Sequence, residues 1–202
     1  GNNDDIVVDA NLYKISNYYG YGVTNDDWEY SYNSPDHAID NVNQVRGNWS
    51  DFDFVLFSFD QDVNLSGADF TWRYSSTDSQ VSVAALDDIT SLTSGTNTWS
   101  QIVSNALSAG SYDINKATIG YRANFDLTST AKYWLVGAYN TVFGDNGGDM
   151  YNDAFKLSAI GFSQPGSSPS PKPPAEVGEP ATWALLSGGL AFLAWRRKKI
   201  KS

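Results

Sequence analysis

Residues 1–163 contain no long stretch of helical periodicity. Short runs of β-branched and aromatic side chains recur instead, each interrupted by Asp, Asn, Gly or Ser. Runs and breakers in that alternation specify strands joined by polar turns. Strands are expected at 11–15, 53–59, 68–74, 81–86, 116–125, 133–139 and 154–162. In 53–59 both faces are apolar, with Phe54 and Leu56 on one and Val55, Phe57 and Phe59 on the other. That pattern suits a central strand covered on both sides. Phe70-Thr71-Trp72-Arg73-Tyr74 alternates aromatic and polar residues as a half-buried strand does, and Ile119, Tyr121, Ala123 and Phe125 repeat the alternation. The stretch 99–109 fits a short helix or another strand. Seven or eight short strands with polar turns give an all-β expectation: an antiparallel β-sandwich of jelly-roll kind. No repeat at a fixed period points to a propeller or solenoid.

Composition removes several kinds of chemistry. The chain has no Cys, which excludes disulfides, zinc ribbons, iron–sulfur clusters and thiol catalysis together. Its one His, His37, leaves no basis for multi-His metal centres. A domain of this size buries about 68–70% of its unfolded surface and needs neither disulfide nor obligatory metal. Charge is divided unevenly along the chain. Residues 1–163 hold 21 acidic side chains, 20 of them Asp, against seven basic ones, a balance of −14, whereas 196–201 hold five cations. So acidic a domain repels phosphate backbones, and no nucleic-acid partner is expected.

The two ends carry information about address. The chain starts Gly1-Asn2-Asn3 and has one methionine, Met150. It is therefore expected to be a processed or trimmed product, through loss of a secretory signal peptide or through a cut boundary. Six of the seven prolines fall in 164–180, QPGSSPSPKPPAEVGEP. A stretch this poor in apolar side chains cannot pack a core and reads as an extended spacer. Next, 181–195 (ATWALLSGGLAFLAW) are free of charge and lead directly into Arg196, Arg197, Lys198 and Lys199. As a helix this segment reaches roughly 22 Å, short of the ~30 Å hydrocarbon core, and it spans with local thinning and interfacial Trp and Arg anchors. A buried core helix is the other reading of fifteen apolar residues, and the cations at its end speak against it. The basic cluster stays cytoplasmic, so the acidic domain is expected on the far side.

Val177-Gly178-Glu179-Pro180-Ala181-Thr182-Trp183-Ala184-Leu185-Leu186, with the apolar run and basic stop after it, resembles the PEP-CTERM sorting signal. The family pattern is Val-Pro-Glu-Pro, and Gly178 stands where the first proline is expected. A proline at the first turn of the next helix suits its start, because its fixed φ and missing N–H cost nothing there. The resemblance implies a Gram-negative bacterium that makes exopolysaccharide. It also implies recognition by exosortase, a membrane-embedded, cysteine transpeptidase-like enzyme. The tail would then be removed and the domain released or retained at the surface. A second resemblance covers much of the main domain. Tyr19-Gly20-Tyr21-Gly22-Val23-Thr24-Asn25, Ser34-Pro35-Asp36-His37-Ala38-Ile39-Asp40-Asn41 and Asp53-Phe54-Val55-Leu56-Phe57-Ser58-Phe59-Asp60 are similar to exosortase-dependent surface proteins. Val63, Leu65, the run from Asp78 to Val83 and the strand from Asp153 to Ala159 fit as well, with Gln80 where the family commonly has Asp. This likeness implies export and surface or matrix residence and names no substrate.

Three groups of residues could carry chemistry. Asp145, Asp149 and Asp153 lie in a Gly- and Asn-rich stretch whose short side chains and carbonyls could supply calcium with hard oxygens. Asp36 and Asp40, with Asp26 and Asp27, form a second such group. Asp and Asn are also ordinary turn formers, which accounts for both groups without a metal. His37, between Asp36 and Asp40, reads as a pH sensor or base, or as a structural imidazole bonded between strands. Tyr18, Tyr19, Tyr21, Trp28, Tyr30 and Tyr32 crowd one Gly- and Asn-rich region. Tyr19, Tyr21, Trp28 and Tyr30 are candidates for stacking on sugars, or else they fill and edge the sandwich. Trp72 and Trp134 sit in strand patterns and are expected in the core or half-buried.

Together these features describe three parts: a β-sandwich over 1–163, a Pro/Ser-rich spacer over 164–180 and a short hydrophobic sorting helix with basic stop over 181–202. The expected protein is a non-enzymatic surface or extracellular-matrix module, held transiently in the inner membrane and sorted by exosortase. Its expected partners are exopolysaccharide or other matrix proteins, with calcium as a candidate ligand. The alternatives are a secreted polysaccharide-acting enzyme, which needs two acids at defined separation, and a permanently anchored single-span protein.

Overall fold

A computed structural model describes residues 4–24, 38–41, 52–74 and 78–166. The spacer, the sorting helix, Trp28, Tyr30, His37, Asp26, Asp27 and Asp36 lie outside the described residues. The described strands and helices all belong to the unit Gly1–Pro165.

Among the described residues the unit is antiparallel β with two short helices. In chain order come β1 (Asn11–Ser16), β2 (Gly20–Thr24), β3 (Ile39–Asp40), β4 (Phe54–Arg73) and β5 (Gln80–Leu86). After them come α1 (Thr90–Thr93), α2 (Trp99–Ser104), β6 (Ser108–Asp113), β7 (Asn115–Lys116), β8 (Tyr121–Asn124), β9 (Ala131–Ala138) and β10 (Ala154–Ser163). The main path of the sheet is β1-β2-β10-β4-β9-β5-β6, with β3 beside β10 and β7 and β8 beside the far half of β4. The antiparallel β expectation is met; the ladders fall into two groups, one around β10 and β8 and one around β9 and β5, joined through β4 into a ten-stranded path.

β4 makes the sheet continuous. Its first part pairs with β9, from Phe54 opposite Gly137 to Ser58 opposite Tyr133. The register then slips, and Val63 meets Ala131. Beyond this point β4 runs between β10 (Asn64 opposite Ser163, Arg73 opposite Phe155) and β8 (Gly67 opposite Asn124, Phe70 opposite Tyr121). The expected strands 53–59 and 68–74 are therefore one strand of twenty residues. The polar link between them carries on because Val63 and Leu65 alternate inward and are buried.

Two cores result. The larger collects Val55, Val63, Leu65 and Phe70 of β4 with Val81, Val83, Trp134, Val136, Phe155 and Leu157. The smaller holds Phe52, Ala84, Leu86 and Leu135 against Trp99, Ile102 and Phe143. Alternate residues of β5 and β9 enter alternate cores, so all of β5 is buried. Double coverage thus belongs to β5 and β9, not to 53–59. Among the described residues that segment has a ladder partner on one side, and Leu56 is 40% exposed.

The stretch 99–109 resolves into both readings, helix first and strand after. Thr98 caps α2: Gln101 Oε1 accepts from the Thr98 N–H at 2.9 Å, completing a capping box. Trp99 and Ile102, three apart, enter the smaller core. The expected strand 116–125 is divided between β7 and β8 by a turn in which Gly120 takes φ +66° and the Ala117 N–H donates to its carbonyl at 3.1 Å. The N-terminal segment lies along α2, with Asp4 accepting from Ser100 N and Oγ, each at 2.6 Å, and Val7 N–H donating to Asn97 O.

Trp134 is fully buried, and its Nε1–H lies 3.2 Å from Val63 O and 3.1 Å from Ala131 O, at the register slip of β4. Trp134→Ala is expected to cost about 3–5 kcal/mol in urea denaturation. A loss below about 1 kcal/mol would show that this ring does not hold the junction together.

Candidate functional site

Two places on the domain carry more chemistry than packing requires. The first is a face of the β2–β10–β4 region. A register shift falls between Lys156 and Leu157 of β10: Leu157 opposes Phe70, both in the larger core, while Lys156 opposes Trp72. Lys156 points away from the core by ordinary alternation between Phe155 and Leu157, and one extra residue of β4 at this bulge turns Trp72 to the same side. Lys156 Nζ stands 5.4 Å from the centre of the Trp72 ring and 5.8 Å from that of Tyr19. Both distances are within the reach of cation–π attraction. Tyr74 continues the row with its ring 6.4 Å from Trp72, and Tyr18 meets Tyr19 edge-on at 4.9 Å.

The backbone holds this face in place. Ser16 Oγ accepts from the Tyr18 and Tyr19 N–H groups at 3.2 and 3.0 Å, and Thr71 Oγ1 donates to Tyr19 O at 2.6 Å. The turn bearing Tyr19 is thus fastened to the strand bearing Trp72. Tyr18, Tyr19 and Tyr74 keep 78%, 50% and 54% of their surface exposed. Of the four stacking candidates, Tyr19 lies on this face and Tyr21 is half-buried beneath Lys14 Nζ at 5.8 Å. Trp28 and Tyr30 lie outside the described residues. Trp72 is half-buried and Trp134 fully so, each within the expected range. Sequence reasoning does not place Trp72, Tyr74 and Lys156 on the face. Alternation from Phe70 puts Trp72 inward, and only the bulge reverses it.

The second place is the entry to β10. Asp153 is fully buried, its Oδ1 accepting from the Gln80 N–H at 2.7 Å and its Oδ2 from Asn41 Nδ2 at 3.1 Å. Asn41 returns the contact through Oδ1, which accepts from the Asp153 N–H at 2.8 Å, and its Nδ2 also donates to Tyr139 O at 2.7 Å. Burial pushes the Asp153 carboxyl up from 3.8 to about 7, and the charges of Asp78 and Asp149 push the same way. The two hydrogen bonds oppose that rise only in part.

Asp145 is engaged elsewhere. Its Oδ1 accepts from the Gly147 N–H at 2.8 Å and from Tyr139 OH at 3.0 Å. These bonds hold its carboxyl below the usual range, and burial with the same contact takes the Tyr139 phenol up to about 12. Asp145, Asp149 and Asp153 are therefore not assembled as ligands. Among the described residues no group of three or more His, Cys, Asp or Glu stands together as a metal site. Asp40 is buried, and its backbone is fastened to Asp53: its N–H donates to Asp53 Oδ2 at 3.2 Å, and its carbonyl accepts from the Asp53 N–H at 3.0 Å.

Because the folded protein favours a protonated Asp153, this group stabilises the fold fully below pH 3.8, and that stability is lost as pH rises through about 7. In metal-free buffer the unfolding free energy should fall across this window, by on the order of 4 kcal/mol from this residue. Chemical denaturation at half-unit pH steps reads it directly. A profile that rises between pH 5 and about 8 would contradict the assignment.

No curated protein and no solved structure matches this chain. Among the described residues no helix is long and apolar enough to cross a membrane. Residues 177–198 match the family model of the PEP-CTERM protein-sorting motif. They include Val177, Gly178, Glu179, Pro180, the apolar run and Arg196 to Lys198. The chain thus carries, after an antiparallel β domain, a PEP-CTERM protein-sorting motif, the mark of export with transient membrane anchoring and of processing by exosortase.

Proposed function

We propose that this is a cell-surface or extracellular-matrix protein whose β domain is a non-catalytic binding module for the exopolysaccharide of its own cell. One observation carries the binding half: the row Tyr19–Trp72–Tyr74, exposed in part, fixed from below by hydrogen bonds and turned away from the core. Flat aromatic faces offer sugar rings apolar area at low entropic cost, since little side-chain freedom is left to lose. Lys156 adds a hydrogen-bond donor between two of the rings. The sorting motif supplies the context, because exosortase-dependent export delivers the domain to where such polymers lie.

Glycoside hydrolysis is the rival reading, and it requires an acid of raised pKa facing a second carboxylate across an open cleft. The described carboxyl with a strongly raised value is Asp153, which is fully buried and out of reach of a polymer chain. That favours binding over cleavage.

Two measurements test the proposal. The intact mass of the protein from its host, with exosortase present and deleted, should show loss of everything after the Glu179–Pro180 region only when the enzyme is present. An uncut tail in both strains would favour permanent anchoring and implicate Gly178. For binding, affinity electrophoresis of the full chain in detergent on the host polysaccharide should show retention. Trp72→Ala and Tyr19→Ala should each weaken it by roughly two- to tenfold. Absence of retention by the unaltered protein would refute the polysaccharide reading.

A further inference from the structure

Buried oxygens without hydrogen-bond donors gather at one place in the domain. Ser79 Oγ, Gln80 Oε1 and Asn152 Oδ1 are shut off from solvent and have no partner. They flank Asp78 and Asp153, on the segments that enter β5 and β10. Gln80 is buried and stands between the two carboxylates. Its backbone N–H donates to Asp153 Oδ1 at 2.7 Å, and its side-chain Nε2 rests on Asp78 Oδ1. The amide also packs on Gly148, where a Cβ would fall 2.6 Å from Oε1. The Gln80 amide, its unpartnered oxygen included, therefore lies against Gly148, the residue before Asp149.

An amide oxygen only accepts, and an ionised carboxylate only accepts. Among the described residues the charges that act on Asp153, those of Asp78 and Asp149, are both negative. Buried neutral oxygens that no donor answers, beside two carboxylates from separate segments, are the chemistry of a hard-cation site. Calcium takes six to eight oxygens from carboxylates, amide carbonyls and backbone in flexible geometry, whereas magnesium demands a near-ideal octahedron and keeps its waters.

We propose that Asp78, Gln80 and Asp153 hold a calcium ion, with Asn152 Oδ1 as a further oxygen and Asp149 as the adjoining negative charge. This set differs from the 145–153 stretch singled out by spacing. It takes two carboxylates from distant segments plus neutral oxygens, and Asp145 has no part in it. The ion ties the start of β5 to the start of β10, 73 residues apart. An affinity of 10⁻⁴–10⁻³ M, on the order found in extracellular modules, suits an exported protein.

The test uses the full chain in detergent, stripped with chelator and titrated with calcium chloride at constant ionic strength. Calorimetry should give one ion per chain. The melting temperature should rise by about 5 °C or more at a hundredfold excess over the dissociation constant. Asp78→Asn should weaken binding at least about tenfold, and Gln80→Leu should weaken it too, while Asp145→Asn leaves it unchanged. No heat and no shift up to roughly 10 mM calcium would overturn the site, since that exceeds the weakest such modules. An equal shift with magnesium would overturn it as screening of the acidic domain. Loss of binding in Asp145→Asn with retention in Asp78→Asn would overturn it in favour of the 145–149 loop. Because the calorimetric stoichiometry is read on the unaltered protein, a variant that fails to fold leaves the test decisive.

Discussion

Hydrogen bonding along β4 serves two ladders in turn, and the rest of the domain depends on that division. Its first residues pair with β9; beyond Val63 it is flanked by β8 and β10. A single strand that belongs to both ladders must bend between them, and the register slip from Ser58 to Val63 is where it does so. The bend brings Val55 and Leu65, on its two sides, into the same core with Trp134 and Phe155. Trp134 closes the junction from β9, with its indole N–H at the carbonyls of Val63 and Ala131, the pair at which the ladder resumes after the slip. Without the shared strand, β5 and β9 would lose the partners that cover their inner face.

Much of this is legible in the sequence, and the remainder is hidden for physical reasons. Alternation in 81–86, 133–139 and 154–162 locates three strands closely, because each is bounded by polar turns. The link 59–67 is deceptive because Asp60, Gln61 and Asp62 read as a loop, while their exposure at a bend is compatible with continued strand geometry. Coverage of 53–59 is overstated for a related reason. Apolar residues on both faces say that both faces touch something, and Phe54 does pack on Trp99 and Phe143, but Leu56 stays open. The aromatic face is half visible: Tyr19 can be chosen from composition, whereas Trp72 depends on one extra residue at a bulge. Asp153 stands out in the sequence, but in the company of Asp145 and Asp149. Spacing favours neighbours in the chain, and its partners are Asn41 and Gln80, 112 and 73 residues away.

Charge and address fit together. The 20 Asp of residues 1–163 keep the domain away from polyanions, and the cations after 195 are separated from it by the proline-rich stretch. Opposite charges are thus placed at opposite ends of a hydrophobic segment, as orientation across a membrane requires. Among the described residues Lys14, Arg73 and Lys156 lie over aromatic rings, and Arg122 pairs with Asp69. A long cationic side chain of this kind covers apolar surface with its methylene stem.

The position of β10 in the chain sets when this domain can form. It is the last strand, yet it pairs with β2, β3 and β4, and its first residues bond to Asn41 and Gln80. A polypeptide delivered from its N-terminus holds every residue of the smaller core by Phe143, but completes the larger one only when β10 has arrived, because Phe155 and Leu157 belong to it. Long-range pairings of this kind form slowly and late. The larger core is therefore closed by the strand that adjoins the proline-rich stretch in the sequence, the last part of the domain to be supplied.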